Sequence, residues 1–400
     1  MTIERLFWLV LSAAAVASLL AFAAKRAIYL VLAALYRPGE SGAPAELPRV
    51  AVLIPCRNEA KVLESSMKAT ANLDYPADRI RVIYIDDSST DGTAEILAER
   101  SGELGFEWFR VETGLERGKA HALNEALKRI GDSELIYILD ADFEPAPDAL
   151  RRGVEFMQAN GLDMVTGRLV ADAPLRNPVA SYAAIEELVH QHITQAAQSA
   201  LGLGSAPMGG NYIIRSATLK KLGGFDESAL LEDVDLALKL FERAHKSRFL
   251  PQMAARHSVP KSARTFTRQH YFWARGFHQA TKKHIAKIAA SKNLNAAKRY
   301  AAIFFCLGYA DRPAILLGAA ASIGTATGAN PFFPLWIWLA VFALPAAHAV
   351  VAALKEGDVR RLAGLLWLPV VFPLDIWAAT KAFFADLAGL RLGGYKTERE

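Results

Sequence analysis

The sequence predicts an α/β domain with a mostly parallel sheet, flanked on both sides by α-helical membrane segments. Between residues 49 and 260, short apolar runs alternate with amphipathic stretches, which is the pattern of strands and helices in a parallel sheet. Long apolar stretches with few charges lie before and after this region. The hydrophobic fraction of 52% and the charged fraction of 22% are those of a chain more apolar than most soluble domains.

Residues 6–24 contain no charged side chain and are long enough to cross a bilayer as a helix. A signal peptide is the alternative, but its apolar core is usually shorter. Because the basic residues Lys25, Arg26 and Arg37 follow, we expect a retained anchor over residues 1–37 and the following domain on the cytoplasmic side of the inner membrane. Residues 38–48, rich in Pro, Gly, Ala and Ser, indicate a linker.

The first two predicted strands, 50–54 and 81–85, each end in polar residues. Pro55-Cys56-Arg57-Asn58-Glu59 follows the first strand, and Asp86 and Asp87 follow the second. Ligands of open α/β sheets bind outside the carboxyl ends of the strands. A carboxylate at this edge can accept a hydrogen bond from a ribose hydroxyl or a base N–H.

A third predicted strand, 106–111, leads into a glycine-containing basic loop that opens a helix. Backbone amides and Lys119 can meet a phosphate there. The loop is not a P-loop, because Gly118-Lys119 is followed by Ala120 instead of Ser or Thr. A solvent-exposed loop is the alternative.

The segment 135–139 is apolar and predicts a buried parallel strand, and Asp140 and Asp142 come directly after it. Residues two apart on a strand point the same way, so both carboxylates face one spot. They repel each other unless a cation lies nearby, and carboxylate oxygens suit Mg²⁺ or Mn²⁺. A solvated turn is the alternative.

Four of these segments together are more specific than any one of them: 55–59, 86–93 (DDSSTDGT), 117–124 (RGKAHALN) and 140–142 (DAD). In their order and spacing they resemble inverting family-2 glycosyltransferases of the GT-A fold, which has a Rossmann-like sheet. The resemblance implies that Asp140 and Asp142 bind Mg²⁺ or Mn²⁺ on the diphosphate of a nucleotide-sugar, expected to be UDP-linked. It places these residues at the donor: Pro55, Arg57, Glu59, Asp86, Asp87, Lys119, Asp140, Ala141 and Asp142.

Two later segments extend the resemblance. The loop 207–211 is similar to the family's segment lining the sugar pocket, where Gly210 and Asn211 would contact the donor, and a glycine permits close approach of the backbone. Glu232-Asp233-Val234-Asp235-Leu236 resembles the family's E-D-x-x-L motif, which implies Asp233 as general base and Glu232 on the acceptor side. Alternatively, these acids only complement a helix dipole.

The acceptor side departs from the pattern of processive family members, which carry Q-x-x-R-W. Gln269 and Trp273 match, but Phe272 stands at the position of the arginine. Arg275 or Arg268 can supply the charge, and Trp273 can stack on a sugar or lie at the membrane interface. The chain therefore resembles more closely the non-processive members that add one sugar to a lipid or lipid-linked acceptor.

Three histidines are further candidates. His257 is expected near the diphosphate as an additional metal ligand, with a structural role as the alternative. His190 and His192 fall in a helical stretch, where we expect an exposed helix face, with contact to an acceptor as the alternative.

The C-terminal part returns to the membrane. Residues 261–300 alternate basic and apolar positions, which predicts amphipathic helices at the interface, in contact with anionic lipids and not with nucleic acid. Within 301–390, a helical hairpin is expected to turn near Asn330, and 362–390 is a third crossing, a re-entrant segment or an interfacial element. Residues 391–400 are expected to form a cytoplasmic tail.

These patterns predict a metal-dependent hexosyltransferase that transfers a single sugar to a lipid or lipid-linked acceptor at the cytoplasmic membrane face. A processive polysaccharide synthase and a catalytically silent membrane scaffold are the alternatives. A channel or transporter is disfavoured, because the membrane part carries few intramembrane charges.

Overall fold

The computed structural model describes residues 2–42, 44, 46–111 and 118–390. Within these residues one sheet of eight strands forms the centre of the molecule, in the order β3-β2-β1-β4-β7-β6-β8-β5. The strands are β1 (Val50–Cys56), β2 (Ile80–Asp86), β3 (Glu107–Arg110), β4 (Leu135–Ile138), β5 (Glu144–Pro145), β6 (Met164–Asp172), β7 (Tyr212–Arg215) and β8 (Ser247–Ser258).

Helices cover the sheet and form the membrane part. The α-helices are α1 (Ile3–Leu35), α2 (Leu63–Ala71), α3 (Thr93–Leu104), α4 (Gly118–Leu127), α5 (Ala149–Ala159), α6 (Pro178–Val189), α7 (Ala196–Ala200), α8 (Ser216–Lys221), α9 (Glu232–Glu242), α10 (Ala263–Ala290), α11 (Ala296–Cys306), α12 (Asp311–Ala326), α13 (Ile337–Glu356) and α14 (Leu368–Leu387). A π-helix spans His190–Gln195 and a 3₁₀-helix spans Val359–Trp367.

The sheet is mostly parallel, as the alternating pattern predicts. β1 pairs in parallel with β2 and β4, β2 pairs in parallel with β3, and β6 pairs in parallel with β8. β7 runs antiparallel to both of its neighbours, β4 and β6, and the short β5 runs antiparallel to β8. Because β1, β2 and β4 run in the same direction, their carboxyl ends meet at one edge of the sheet.

Burial explains why the sequences of the central strands are continuous apolar runs. Every residue of β4 is buried, and β1 is buried along almost its whole length. Two apolar clusters, one on each face, enclose these strands: one includes Val52, Met67 and Tyr137, and the other includes Leu53 and Leu123. A parallel sheet covered by helices on both faces requires this pattern.

Three described helical segments are long and apolar enough to cross a membrane: α1, α13 and residues 359–387. The bent pair α11 and α12 passes the same test as one unit. The helices α12 and α13 are joined by residues 327–336, where the Asn330 side-chain amide donates to Ser12 Oγ of α1 at 2.9 Å, and the predicted membrane hairpin stays a prediction. The chain therefore has apolar helices at both ends, as the sequence predicts.

Helix α10 lies beside α14 and connects it to the α/β domain. His270 Nδ1 lies 2.8 Å from Asp375 Oδ1, and Arg275 Nε lies 2.6 Å from Asp386 Oδ1. The sequence left the segment 362–390 open between a crossing, a re-entrant segment and an interfacial element. These ion pairs show that α14 packs along α10, the amphipathic helix that follows the α/β domain.

Candidate active site

The carboxyl ends of β1 and β2 place several of the predicted donor-binding residues together. Asp86, the last residue of β2, is fully buried and accepts a hydrogen bond from the Ser89 amide at 3.1 Å. Arg110 Nε at the end of β3 lies 3.3 Å from Asp86 Oδ2. The buried carboxylate therefore has a local amide and a guanidinium to offset its desolvation.

Asp87 and Arg57 face each other across the same two strands. The Asp87 amide donates to the Cys56 carbonyl at 2.8 Å, and Arg57 Nη1 lies 3.8 Å from Asp87 Oδ2. Burial raises the pKa of Asp87, and the Arg57 charge opposes that shift. Pro55 lies within β1, and Glu59 is buried just beyond it. The structure thus groups this part of the predicted donor site.

Lys119, in the first turn of α4, contacts residues from three segments: the end of β4, the loop 207–211 and the start of α9. Its Nζ lies 2.5 Å from Asp140 Oδ1 and 3.1 Å from Glu232 Oε1, and it donates to the Gly209 carbonyl at 2.7 Å. Burial lowers the pKa of Lys119, but the carboxylates of Asp140 and Glu232 outweigh burial and hold that pKa above its ordinary value. Lys119 is therefore a permanent positive charge at this edge.

The loop 207–211 packs onto the end of β4 through glycines. A Cβ at Gly210 would lie 2.8 Å from the Asp140 amide nitrogen and 3.2 Å from the Leu139 carbonyl carbon, so only glycine fits there. Gly209 has φ +73°, which also favours glycine. The loop consequently lies directly against the backbone that carries Asp140.

Asp233, in the first turn of α9, is held by this loop. The Gly209 amide donates to Asp233 Oδ2 at 2.7 Å, and the Val234 amide donates to Asp233 Oδ1 at 2.8 Å. Burial and the neighbouring Glu232 carboxylate raise the pKa of Asp233 from 3.8 to about 6, while Lys119 opposes that shift. A carboxylate with a pKa near neutrality is suited to accept a proton at physiological pH.

Asn211 ends the same loop and is fully buried with φ +55°. It accepts from the Tyr137 hydroxyl at 2.8 Å, and its amide group donates to the carbonyls of Arg168 at 2.9 Å and Met253 at 3.1 Å. This side chain ties the loop to β4, β6 and β8. Its predicted contact with a sugar stays a prediction.

The remaining predicted side chains have bonding partners other than Lys119, and the Asp140 carboxylate lies near enough to His257 to help raise the pKa of its imidazole. His257 Nε2 lies 2.8 Å from Glu187 Oε2, and burial lowers the pKa of His257, but Glu187 outweighs burial and the pKa lies above its usual value. Arg275 is buried, with Nη1 donating to the Tyr271 hydroxyl at 3.0 Å. Gln269 and Trp273 lie on α10, and Trp273 is 38% exposed.

The histidines at 190 and 192 both lie in the π-helix His190–Gln195. The prediction of an exposed helix face is wrong for His192, which is buried and lies 2.8 Å from Glu356 Oε2. The reason is that Glu356 sits at the end of a membrane helix, distant in sequence, and covers this face. Burial and the Lys25 charge lower the pKa of His190 to about 4.

Sequence reasoning also missed two polar side chains of α4. His121 Nδ1 lies 2.9 Å from Glu227 Oε2, and Asn124 both donates to the Phe225 carbonyl at 2.9 Å and accepts from the Phe225 amide at 3.0 Å. These contacts tie the start of α4 to the segment before α9. The polar positions in KAHALN were the available signal, whereas Arg117 and residues 114–116 of that loop lie outside the described residues.

Asp140 and Asp142 fit a divalent metal ion. They offer carboxylate oxygens, the ligands that Mg²⁺ and Mn²⁺ prefer, at the strand edge where Lys119 already balances part of the negative charge. Ala141 between them is buried and can contribute only its backbone.

Glu186, His270 and Asp375 form a second group whose possible ligand atoms lie within 4.8 Å of one another. Arg312 Nε lies 2.9 Å from Asp375 Oδ2, and its Nη2 lies 3.7 Å from Glu186 Oε1. This guanidinium balances the carboxylates, so the group does not require a metal.

The mostly parallel sheet, the acidic strand ends and the apolar helices are the features of a GT-A fold joined to helices long enough to cross a membrane. The chain belongs to the family-2 glycosyltransferases: the model "Glycosyl transferase family group 2" matches residues 135–353, and "Glycosyl transferase family 2" matches residues 51–202.

Similar proteins agree with this family. The probable glycosyltransferase YdaM of Bacillus subtilis is 30% identical over 245 residues, which cover 60% of this chain and 58% of YdaM. Glucomannan 4-beta-mannosyltransferase 2 of Arabidopsis thaliana is 29% identical, covering 65% of this chain and 50% of that protein. The chain thus spans somewhat more than half the length of one curated relative and half of the other.

A solved structure supports the fold over almost the whole chain. The mannosyltransferase PcManGT from Pyrobaculum calidifontis, in complex with GDP-Man and Mn²⁺, superposes with a TM-score of 0.66 and 23% identity. The match covers 97% of this chain and 100% of that one. The similarity therefore extends from the α/β domain into the apolar helices.

Proposed function

We propose that this protein transfers a single sugar, with inversion, from a nucleotide-sugar to a lipid or lipid-linked acceptor at the cytoplasmic face of the membrane. The observation that carries the proposal is a chain of direct contacts between side chains and backbone. Lys119 contacts Asp140, Glu232 and the Gly209 carbonyl. The Gly209 amide in turn donates to the Asp233 carboxylate. These contacts connect Asp140, proposed to lie beside the donor diphosphate, to Asp233, whose carboxylate is suited to proton transfer. A catalytically silent scaffold has no need of this arrangement.

Asp233 acts as the general base. As the acceptor hydroxyl oxygen forms its bond to the anomeric carbon, Asp233 takes the hydroxyl proton, and the bond from that carbon to the diphosphate oxygen breaks with its electron pair leaving on the nucleotide. The Gly209 and Val234 amides hold both Asp233 oxygens and so orient the carboxylate. Lys119 supplies a fixed positive charge for the leaving diphosphate.

Asp140 and Asp142 would hold Mg²⁺ or Mn²⁺, which neutralises charge on the leaving diphosphate when bound. Asp86 and Asp87 lie at the neighbouring strand ends and would bind the nucleoside through their buried carboxylates. Arg57 pairs with Asp87 at the same edge. His257 of β8 bonds to Glu187 and would help to position the residues at this edge of the sheet.

The acceptor is proposed from the membrane part and from α10. Trp273 is partly exposed on α10, with its ring centroid 5.1 Å from that of His270, and offers a surface for an acceptor sugar or lipid headgroup. Phe272 at the position of the processive family's arginine favours single transfer. Processive synthesis is the second candidate, since one relative is named a glucomannan mannosyltransferase.

The test is a transfer assay with the full chain in lipid nanodiscs. A UDP-linked sugar is the donor expected from the sequence, and GDP-mannose is the alternative that the similar proteins add. Each donor is supplied with Mn²⁺ or Mg²⁺ and a membrane lipid extract as acceptor, and products are sized by mass spectrometry. We expect one added sugar per acceptor; a ladder of longer products contradicts single transfer, and turnover unaffected by chelation contradicts the metal.

The pH profile of the reaction should report Asp233. Because the base must be ionised and its pKa is raised to about 6, kcat/KM is expected to rise about tenfold per pH unit below that value and to level off above it. The measurement is kcat/KM at saturating metal in buffers from about pH 4.5 to 8. A profile that is already level from about pH 4.5, as an ordinary aspartate would give, contradicts the role of Asp233.

A further inference from the structure

The end of the membrane helix α13 is bonded directly to the α/β domain. Glu356, its last residue, lies 2.5 Å from Arg168 Nη1 and 2.8 Å from His192 Nε2. The Glu356 side chain is 13% exposed and that of His192 is 5% exposed, so this contact is shielded from water. One carboxylate therefore joins α13 to β6 and to the π-helix at once.

The first connection runs through Arg168 to the end of the loop 207–211. The Arg168 carbonyl accepts from the Asn211 side-chain amide at 2.9 Å, and the amide of the preceding Gly167 donates to the Asn211 carbonyl at 2.8 Å. A Cβ at Gly167 would lie 2.5 Å from Asn211 Nδ2, so β6 and Asn211 are in close contact. The backbone of β6 at Gly167 and Arg168 thus bonds directly to the residue that ends the loop.

The second connection runs through the π-helix to the start of the same loop. Gln195 is fully buried, donates to the Ala206 carbonyl at 2.7 Å and accepts from the Ala206 amide at 2.8 Å. Ala206 directly precedes the loop. π-helical turns are rare and often lie at functional sites, and this one carries His192 toward Glu356 and Gln195 toward Ala206.

We propose that Glu356 is a positioning residue for the transfer reaction: through Arg168 and His192 it fixes both ends of the loop whose Gly209 amide orients Asp233. The seating of α13 in the membrane is thereby coupled to the geometry of the base. This inference rests on the proposed role of Asp233. Glu356 itself lies at the membrane side and acts only through its two partners.

The expected size of the effect follows from what Glu356 holds. Without its carboxylate, Arg168 and His192 are left in a shielded site without their acceptor, which favours rearrangement of the π-helix. A displacement of about 1 Å at a catalytic group can cost about 100-fold in rate. We therefore expect Glu356→Ala to lower kcat about 10- to 100-fold, with little change in the KM for donor.

The experiment compares Glu356→Ala with Asp358→Ala in the full chain in nanodiscs. Asp358 is an acidic residue beyond the same helix end, and its ion pairs are with Arg360 and Arg361 of its own segment. Two readouts are taken: kcat and KM for donor, and amide hydrogen exchange of the peptide around 203–211. Faster exchange of that peptide together with lower kcat is expected for Glu356→Ala alone.

Further results separate the possible explanations. Unchanged kcat and exchange in Glu356→Ala, or equal effects in Asp358→Ala, overturn the inference. Glu356→Gln, which keeps an acceptor for Arg168, should recover part of the lost rate. Combining Glu356→Ala with Gln195→Leu should cost less than the sum of the single effects, and additive effects contradict a shared connection. Wild-type protein inactive on every donor contradicts the proposed function, while the exchange readout still tests the link.

Discussion

Asp233→Asn is expected to lower kcat about 10²- to 10⁴-fold while leaving the affinity for donor near that of the wild type. The amide side chain keeps the size of the carboxylate and can still accept from the Gly209 amide, which lies 2.7 Å from Asp233 Oδ2. It cannot take a proton from the acceptor hydroxyl. The measurement pairs steady-state rates with calorimetric titration of the donor in the presence of Mn²⁺.

Glu95→Gln is the matched control for this change. Glu95 is an exposed acid in the first turn of α3, so it tests whether removing a first-turn carboxylate is harmful through the helix dipole alone. We expect its kcat to stay within about twofold of the wild type. If Asp233→Asn behaves like this control, then Asp233 only caps α9 and the assignment of the base is wrong.

Asp142→Asn should remove most of the metal-dependent binding of the donor. The change deletes one of two carboxylates at the end of β4, and the other, Asp140, is shared with Lys119 at 2.5 Å. Since losing even an outer-shell partner of a metal ligand costs about 10- to 100-fold in affinity, we expect a loss of about 100-fold or more. Titration of the donor with and without Mn²⁺ measures this independently of turnover.

Glu144→Gln serves as the comparison for Asp142→Asn. Glu144 is the next acid along the same segment and lies in β5, paired with β8. Its substitution should leave the Mn²⁺ dependence of donor binding intact. Equal donor affinity in Asp142→Asn and wild type, at every Mn²⁺ concentration, would show that the metal is held elsewhere or not at all.

The polar residues at the carboxyl edge of the sheet were predictable, because their position depends on the local pattern of apolar and polar residues. Apolar runs in β1, β2 and β4 indicate buried parallel strands, and the direction of such strands brings their polar ends to one edge. That reasoning placed Asp86 and Asp140 where the structure has them.

What could not be predicted are contacts between residues far apart in the chain. The bond of Lys119 with Glu232 and the hold of Gly209 on Asp233 depend on how α4, the loop 207–211 and α9 pack together. The burial of His192 depends on Glu356, in a different membrane helix. A π-helical turn also leaves no clear periodic signal, because it shifts the helical register by a single residue.

The membrane side of α10 shows the same limit. The sequence offered Arg275 as a substitute for the missing arginine of the processive pattern, but in the structure its guanidinium bonds to Asp386 of α14 and to Tyr271. Spacing along a helix indicates which face a residue occupies, but not which neighbouring side chain it bonds to. A role of Arg275 at the diphosphate stays a prediction.

The anomeric configuration of the transferred sugar tests the central claim most directly. If Asp233 takes the acceptor proton in a single displacement, while a metal ion held by Asp140 and Asp142 would neutralise the leaving diphosphate, the product formed from an α-linked donor must be β-linked. The measurement is the anomeric coupling constant of the isolated product by NMR. A β-linkage is the predicted result, and an α-linked product would contradict the account.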